Sequence, residues 1–499
     1  MNSDNYILRL FCILVLFPAC IGLSGQERDT VRLGLAEALE IGRQQSLDSK
    51  ENSNNLRIAY WQYRNYKAGL YPNISLEGTL PSLNRSLSSY QQSDGVYKFI
   101  RNNYITEDLA INVTQAIPFT GGTLRLQSSI QRMDQLGQSN VGSFLSVPFA
   151  LSWEQPLLAY NPYKWDRKIE PVRYEKSRLQ YVADMENVNI TTVTCYFDFL
   201  MSASRKEIAV QNLETARKLH SIALEKADMG ILSKDELMHL NVSMLNAEAA
   251  LIDAEHDYSE KMHSLRNYLG LDDSVEIVPQ LPPAKNLENI NIGLVWDKAF
   301  ANNPLYKDFK VRLLEAEENM VKAKRERLPD ISLNVAIGST GSDQKFFRSY
   351  ADLQNLQVAN IGLSIPILDW GKRKGNYELA RSQYALVEDR VAREENDFRE
   401  SVRTLITDIS DQPRLLELYH SADSIAQERY RIALEQFTLG DIGVIDINYA
   451  EQEKDAARQN YISQLYISWL LYYNLRYVTL YDFDNGCDLV FDEETVKLR

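Results

Sequence analysis

The two halves of this chain repeat one plan, and that repetition constrains the fold more than any other feature. The segment PNISL at residues 72–76 recurs as PDISL at 329–333, each time after a long polar helical stretch. The segment GILSKDEL at 230–237 recurs, more loosely, as GDIGVIDI at 440–447. Repeats of this size indicate a duplicated architecture. We therefore divide the chain into a first repeat at 26–278, a linker at 279–293, a second repeat at 294–481 and a tail at 482–499.

Composition and the N-terminus indicate an exported protein that does not bind nucleic acid. The formal net charge is −14, whereas phosphate binding requires an excess of Lys and Arg. Residues 1–25 are predicted to be a secretory signal peptide, because an apolar run at 10–17 is followed by small residues. Lipidation at Cys20 is the alternative. The mature chain keeps only Cys195 and Cys487, too few for a disulfide scaffold.

Period-two alternation predicts strands with one apolar and one polar face. It occurs in the region 72–157 of the first repeat and at 330–338 and 359–367 of the second. The apolar runs are about ten residues long, which suits a tilted membrane strand. Aromatic residues lie near their ends, and long polar loops are predicted at 82–106, 132–143 and 339–357. These features favour a transmembrane barrel, and since so few strands cannot close one, the barrel must be shared between chains.

The remaining sequence predicts long helices. We expect helices at 33–70, 165–229, 233–269, 294–328, 372–439 and 443–480. Apolar residues alternate in steps of four and three from Ala380 to Phe437, which is typical of coiled-coil packing. Pro413 should kink this helix or end it locally. A helix over 372–439 would be about 100 Å long. Each long helix ends at a glycine and is followed by a returning helix, so two antiparallel hairpins with small tips are expected.

The chain resembles TolC-type outer-membrane efflux proteins over essentially all of the mature sequence. The resemblance rests on the duplicated plan, the two helix-to-strand junctions, the glycine tips, and the strand-to-helix junctions QPL at 155–157 and IPILDWGK at 365–372. It implies an α+β membrane protein, with a transmembrane β-barrel shared by a homotrimer and continued by a long periplasmic α-helical coiled-coil barrel. It also implies a passive outer-membrane duct, mostly periplasmic, that works with a periplasmic adaptor protein and an inner-membrane RND or ABC pump.

The resemblance also implies the functional residues. The adaptor-docking tips would be Gly230, Ser233, Gly440 and Gly443, and the pore constriction would involve Asp446, Tyr449 and Glu236. Asp446 matches the first acid of the family's acidic rings, and Tyr449 stands where the second would be. Ile442 stands where the family often has a basic residue that can pair with an acid at the position of Glu236. The plainer alternatives are that the glycines only cap helices and that Asp446 is a solvated surface carboxylate.

Enzyme chemistry has no support in the sequence. The five histidines form no i,i+4 pair, no catalytic constellation stands out, and we expect no metal or cofactor. The competing function is a structural or adhesive coiled-coil protein of the cell surface. The sequence does not specify the cargo, which could be a drug, a metal ion or a polypeptide, or the type of pump. The extra strand pair near 107–131 either enlarges the barrel or folds over its mouth, which leaves twelve or eighteen strands per trimer.

Overall fold

A computed structural model describes residues 30–93, 95–137, 141–229, 233–272, 275–439 and 441–491. The predicted signal peptide, the tip glycines Gly230 and Gly440, and residues 492–499 of the tail lie outside the described residues. The helices are α1 (Leu35–Gln45), α2 (Leu47–Gly69), α3 (Pro162–Asp228), α4 (Lys234–Leu269), α5 (Ile292–Asn302), α6 (Pro304–Arg325), α7 (Lys372–Leu439) and α8 (Val444–Thr479). None of the described helices combines the length and the apolar character that a membrane span requires.

Two predicted helices are each split by a capping residue. The expected helix at 33–70 is divided at Ser46, whose backbone is extended and whose hydroxyl accepts a hydrogen bond from Ser49 N at 3.1 Å. The expected helix at 294–328 is divided at Asn303, which precedes Pro304 and caps α6. A residue before proline avoids helical backbone, and Ser and Asn side chains compete for helix-start N–H groups. The prediction of single helices here was wrong for that reason.

The long helices α3 and α7 contain 67 and 68 residues. Each continues through an internal proline, Pro171 in α3 and Pro413 in α7, so Pro413 does not end its helix. Packing holds the chain around Pro413, because the neighbouring Gln412 is buried and its amide donates to the carbonyl oxygen of Gln464 on α8 at 2.9 Å. At about 1.5 Å per residue each helix is about 100 Å long.

The helices form a single layer whose order follows from their contacts. Towards the hairpin tips, α3 packs against α4 on one side and α8 on the other, and α8 packs against α7. The order is therefore α4–α3–α8–α7, with α4 and α7 at the two edges. Towards the sheet, the shorter helices replace the returning ones, since α3 packs against α2 and α6, and α6 packs against α7.

The main sheet is antiparallel and has six strands. They are β2 (Asn73–Gln91), β3 (Tyr97–Ile117), β4 (Gly122–Gln135), β5 (Val141–Pro156), β7 (Asp330–Asp343) and β8 (Gln354–Ser364), and they pair in that order. Two small sheets lie elsewhere, one of β1 (Thr30–Leu33) with β6 (Glu276–Pro279), the other of β9 (Tyr481–Asp482) with β10 (Cys487–Asp488). β7 extends beyond its predicted bounds of 330–338. β8 begins before its predicted start at 359 and ends at Ser364, two residues before Pro366, which cannot donate to a ladder.

Much of the sequence predicted as long loops is strand. Residues 82–91 continue β2 and residues 97–106 open β3, while β7 and β8 take up 339–343 and 354–357 of the predicted loop at 339–357. Hydrogen bonds between polar side chains support the β2–β3 hairpin: the Asn84 amide donates to the Tyr104 hydroxyl at 2.9 Å, and the Asn102 amide donates to Ser88 Oγ at 2.8 Å. Polar cross-strand pairs stabilise a sheet without an apolar pattern. Hydropathy alone therefore missed these strands.

The sheet has one apolar and one polar face. Residues directly opposite in an antiparallel pair share a face, so the register defines rows that cross the sheet. One row reads Ile74, Val113, Leu126, Leu151 and Ile337. The adjacent row on the other face reads Asn73, Thr114, Arg125, Ser152 and Ala336. Apolar side chains such as Ile74, Leu126 and Ile337 are solvent-exposed in the single chain.

The largest core lies midway along the helices. It contains Tyr196, Phe197 and Phe199 of α3, packed against the C-terminal end of α4, the middle of α8 and the β1–β6 pair. The Tyr196 hydroxyl donates to the carbonyl oxygen of Gln280 at 2.6 Å, and burial raises the pKa of Tyr196 to about 12. The segment after the first repeat is thereby fastened to the long helix.

Candidate functional site

The candidate site is the free end of the two hairpins. All four long helices contribute to one apolar cluster there, which we call the tip cluster. Its buried members are Leu219, Ala223, Leu240, Phe437 and Ile447. Ile442, between α7 and α8, packs against the same cluster rather than reaching out as a charged residue would. The structure therefore brings the two predicted tips together as one packed unit.

The first tip is closed by a reciprocal capping arrangement. Ser233 Oγ accepts from Glu236 N at 3.2 Å, and the Glu236 carboxylate accepts from Ser233 N at 3.0 Å. The same carboxylate accepts from the Ser233 hydroxyl at 2.8 Å. Hydrogen bonds from the Ser233 backbone and side chain lower the pKa of Glu236. Both residues are exposed, so this carboxylate caps α4 and remains charged and accessible at the tip.

The second tip repeats the backbone half of this arrangement. Asp446 Oδ2 accepts from Gly443 N at 3.2 Å, so Asp446 occupies in α8 the position that Glu236 occupies in α4. Glycine has no side chain to complete the reciprocal bond. Two residues predicted to lie at a pore constriction thus share one local role, that of an acid in the first turn of a returning helix.

Tyr449 lies one turn beyond Asp446 and is 64% exposed. Ile447 and Ala450, on the other side of the same turn, are buried. Asp446 and Tyr449 therefore share the face of α8 that points away from the tip cluster, as residues three apart on a helix do. Whether that face lines a pore depends on what surrounds the chain, so the constriction stays a prediction.

A half-buried acid near the tip was not among the residues predicted from the sequence. Glu451 of α8 faces a cleft between α3 and α4, and its Oε1 atom is buried without a hydrogen-bond partner. Burial raises the pKa of Glu451 to about 7, against the nearby Lys454 charge. Asn212 of α3 donates to the neighbouring Asp455 at 2.6 Å. The sequence did contain a signal for Glu451. It stands with Lys454 and Arg458 in the row of α8 that starts at the buried Ile447 and advances in steps of four and three residues.

No metal centre accompanies these residues. Across the part of the chain that the structure describes, no group of three or more His, Cys, Asp or Glu side chains is arranged to hold a metal ion. The described part of the tip offers two anchored carboxylates and two exposed helix starts beside a packed apolar cluster.

A family model described as outer membrane efflux protein matches residues 295–466 of this chain. The chain is 20% identical over 210 residues to the toxin and drug export protein A of Aggregatibacter actinomycetemcomitans, a match that covers 41% of this chain and 45% of that protein. The matched regions span only about half the length of the curated relatives, at 52%, 45% and 43%.

Solved structures extend the likeness to nearly the whole chain. The outer membrane protein VceC from Vibrio cholerae is similar with a TM-score of 0.65 at 13% identity, over 91% of this chain and 96% of that one. The CmeC outer membrane channel of Campylobacter jejuni is similar with a TM-score of 0.64 at 14% identity, over 93% of this chain and 88% of that one. These similarities establish the fold.

Proposed function

We infer, because this chain belongs to the TolC-type outer membrane efflux protein family, that it is the outer-membrane duct of a tripartite export system. The predicted resemblance is confirmed, and so is the prediction that the chain is not an enzyme, since the matched family and folds are outer membrane channels. The duct conducts passively, an inner-membrane RND or ABC pump drives export, and a periplasmic adaptor joins the two. Most of the chain lies in the periplasm, and the sheet contacts outer-membrane lipid.

The observation that carries this proposal is an apolar sheet face with unpartnered edges. The row Ile74, Val113, Leu126, Leu151 and Ile337 makes one face suited to lipid. Among the described strands, β2 and β8 each pair on one side only. A bilayer leaves no water for unpaired N–H and C=O groups, so the sheet must close on itself or on other copies. Six strands are too few to enclose a lumen, which favours closure between copies.

The helix layer has unpartnered edges as well, at α4 and α7. One side of α4 packs on α3, while the opposite side carries Met238, Val242, Leu245 and Ile252, which are between 54% and 68% exposed. With Ala249 they form an apolar heptad row that no described helix covers. We call it the α4 seam.

The edge helix α7 carries a matching row. Its buried heptad positions, such as Ala426 and Phe437, face the interior of the layer. A second set, Leu418, Ile425, Ile432 and Leu439, recurs every seven residues and is exposed. We call it the α7 seam. Two apolar seams on opposite edges of one layer are heterologous surfaces, which generate a closed ring when copies join α7 to α4. The homotrimer of the family is the ring we propose.

The hairpin tips are the proposed adaptor contact. Ser233 and Gly443 are the N-caps of the returning helices α4 and α8. Gly230 and Gly440 stand three residues before them in the sequence. Asp446, Tyr449 and Glu236 are the proposed constriction. The repeats at 26–278 and 294–481 are proposed to be duplicated units, which is supported by returning helices of 36 residues in both.

Reconstitution tests the proposal. The chain extracted in mild detergent should have the mass of a trimer and should conduct ions in planar bilayers. Replacing Gly443 by Trp at the tip should abolish export in cells while trimer mass and conductance persist. A monodisperse monomer with intact β-sheet signal, or a trimer that never conducts, would exclude a duct and favour the adhesive alternative.

A further inference from the structure

We propose that the inserted hairpin β3–β4 is part of the barrel wall, so that three copies enclose an eighteen-strand pore with a polar lining for bulky hydrated cargo. This rests on the proposed trimeric duct. The alternative for this hairpin is a flap over the mouth of a twelve-strand pore.

The first support is continuous pairing. β3 pairs with β4 along the whole length of β4, from Tyr104 opposite Gln135 to Ile117 opposite Gly122. β4 then pairs with β5, and β5 pairs with β7 of the second half. The hairpin therefore lies inside the sheet rather than beside it, and β2 reaches the remaining strands only through β3 and β4.

The second support is that both faces continue across the insertion. Val113 on β3 and Leu126 on β4 extend the apolar row between Ile74 and Leu151. On the other face, Asn112 and Gln127 extend the row between Ser75 and Ala150. A flap would have no reason to match the inner and outer chemistry of the wall on both of its faces. Strands in a barrel wall must match both.

The consequence is a wider pore. Strands spaced about 4.8 Å apart and tilted by about 40° give an eighteen-strand barrel a diameter of about 35 Å between backbones, and a twelve-strand barrel about 24 Å. The rows on the polar face are mostly small or uncharged, such as Asn334 beside Asn360, whose amides are hydrogen-bonded at 3.2 Å. The outer-membrane segment would then discriminate little, and size selection would occur at the tips.

The test compares the full chain with a variant that lacks the inserted pair. Asn84 is level with Tyr104, Gln135 and Val141 across the sheet, so replacing residues 85–140 by Asn-Gly joins β2 to β5 at matched ends. With Cys195 and Cys487 changed to Ser, Asn334→Cys reports from the polar face in both proteins, and Val335→Cys reports from the apolar face. Intact cells are treated with maleimide–polyethylene glycol of increasing size, and the trimer is then weighed in detergent.

We expect Asn334→Cys to react in both proteins, Val335→Cys in neither, and reagents about 20 Å wide to react only in the full chain. The same size limit in both trimers would overturn the proposal while leaving the duct intact. A full chain that is not trimeric would instead overturn the proposed function. If the shortened variant does not fold, Gln127→Cys and Leu126→Cys in the full chain test the same proposal. Gln127→Cys on the polar face should react with the maleimide reagent, and Leu126→Cys on the apolar face should not. Equal reactivity of those two positions would show that β4 does not separate a lumen from lipid.

Discussion

Arg476 holds Glu186 through two parallel hydrogen bonds, Nε to Oε2 at 2.9 Å and Nη2 to Oε1 at 3.0 Å. The pair joins α8 of the second half to α3 of the first, and the Glu186 side chain is only 1% exposed. The third nitrogen of Arg476 donates to Asp482 in the tail at 2.8 Å. Burial opposes the charged form of Asp482, but hydrogen bonds from Asn485 and the Arg476 charge outweigh it and lower the pKa of Asp482 to about 2.

We predict that Arg476→Met strongly destabilises the helical region, because it leaves Glu186 charged and buried without its main partner. Breaking a buried pair costs about 3–5 kcal/mol. Thermal melting in detergent, followed by the helical circular dichroism signal, measures this loss of stability. Arg403→Met is the matched control, since Arg403 pairs with Glu400 on an exposed surface and should contribute less than about 1 kcal/mol. Similar melting shifts for the two variants would contradict the prediction, and Arg476→Met with Glu186→Leu should recover part of the loss.

The sequence could place Arg476 but not its partner. Apolar residues around 465–480 identify a buried helix end, and the 3.5-residue period identifies the seams of α7. The pairing of Arg476 with Glu186 depends on which helices are neighbours, and a single sequence does not contain that information. The same limit applies to the layer order α4–α3–α8–α7. Periodicity gives each helix its apolar faces without saying which helix covers them.

We predict that the tips are more stable in mild acid than in base because of Glu451. Its pKa of about 7 in the folded chain lies above the ordinary value, so the buried neutral form adds stability below about pH 4.5. That contribution is lost as pH rises towards 7 and is absent above it. Glu451→Gln stays neutral at every pH. It should therefore stabilise the chain at pH 8, by on the order of 1 kcal/mol, and have little effect at pH 5.

The control for Glu451 is the exposed Glu453, two residues along the same helix and paired with Arg429. Glu453→Gln should shift the melting temperature little and equally at both pH values. If Glu451→Gln also acts equally at pH 5 and pH 8, Glu451 does not titrate in the folded state between them.

We predict that charge and capping at Asp446 can be separated. Asp446→Asn keeps an acceptor for the Gly443 N–H group but removes the charge, whereas Asp446→Ala removes both. If three copies of Asp446 form an acidic ring, both variants lower cation selectivity, measured as the reversal potential of single channels in a salt gradient. Only Asp446→Ala should also destabilise the start of α8, by about 1 kcal/mol.

Glu236→Gln removes the corresponding charge at the first tip, where Glu236 has the same local role, and should also lower cation selectivity if Glu236 belongs to the constriction. Tyr449→Ala should raise conductance without changing selectivity, since a phenol narrows a pore without adding charge. Unchanged selectivity in Asp446→Asn would leave Asp446 as a helix cap and no more.

Local sequence signals were sufficient to predict the cap at the first tip but not the outer halves of two strands, and the reason is physical. Ser233 and Glu236 follow a spacing that specifies a capping box, so their contact could be predicted. The outer halves of β2 and β3 mix apolar and charged residues on one face, as in Leu83, Arg85 and Leu87, and side-chain hydrogen bonds such as Asn84 to Tyr104 stabilise them. A pattern-based prediction finds no unbroken apolar alternation there. These strand halves were therefore read as loops, and the insertion of β3–β4 within the sheet could not be decided.

We predict that the α4 and α7 seams join neighbouring copies, and that a charge in either seam opens the ring. Ile425→Asp on α7 and Ile252→Asp on α4 each place one carboxylate in every one of the three apolar interfaces, at a cost on the order of 3 kcal/mol per interface. The fraction of trimer, measured by light scattering in detergent, should fall at low protein concentration for both variants. Ser424→Asp is the matched control, because Ser424 is exposed and lies about 100° around the helix from Ile425. Trimers of unchanged stability in both seam variants would mean that the helices contribute nothing to closure and that the sheet edges alone join the copies.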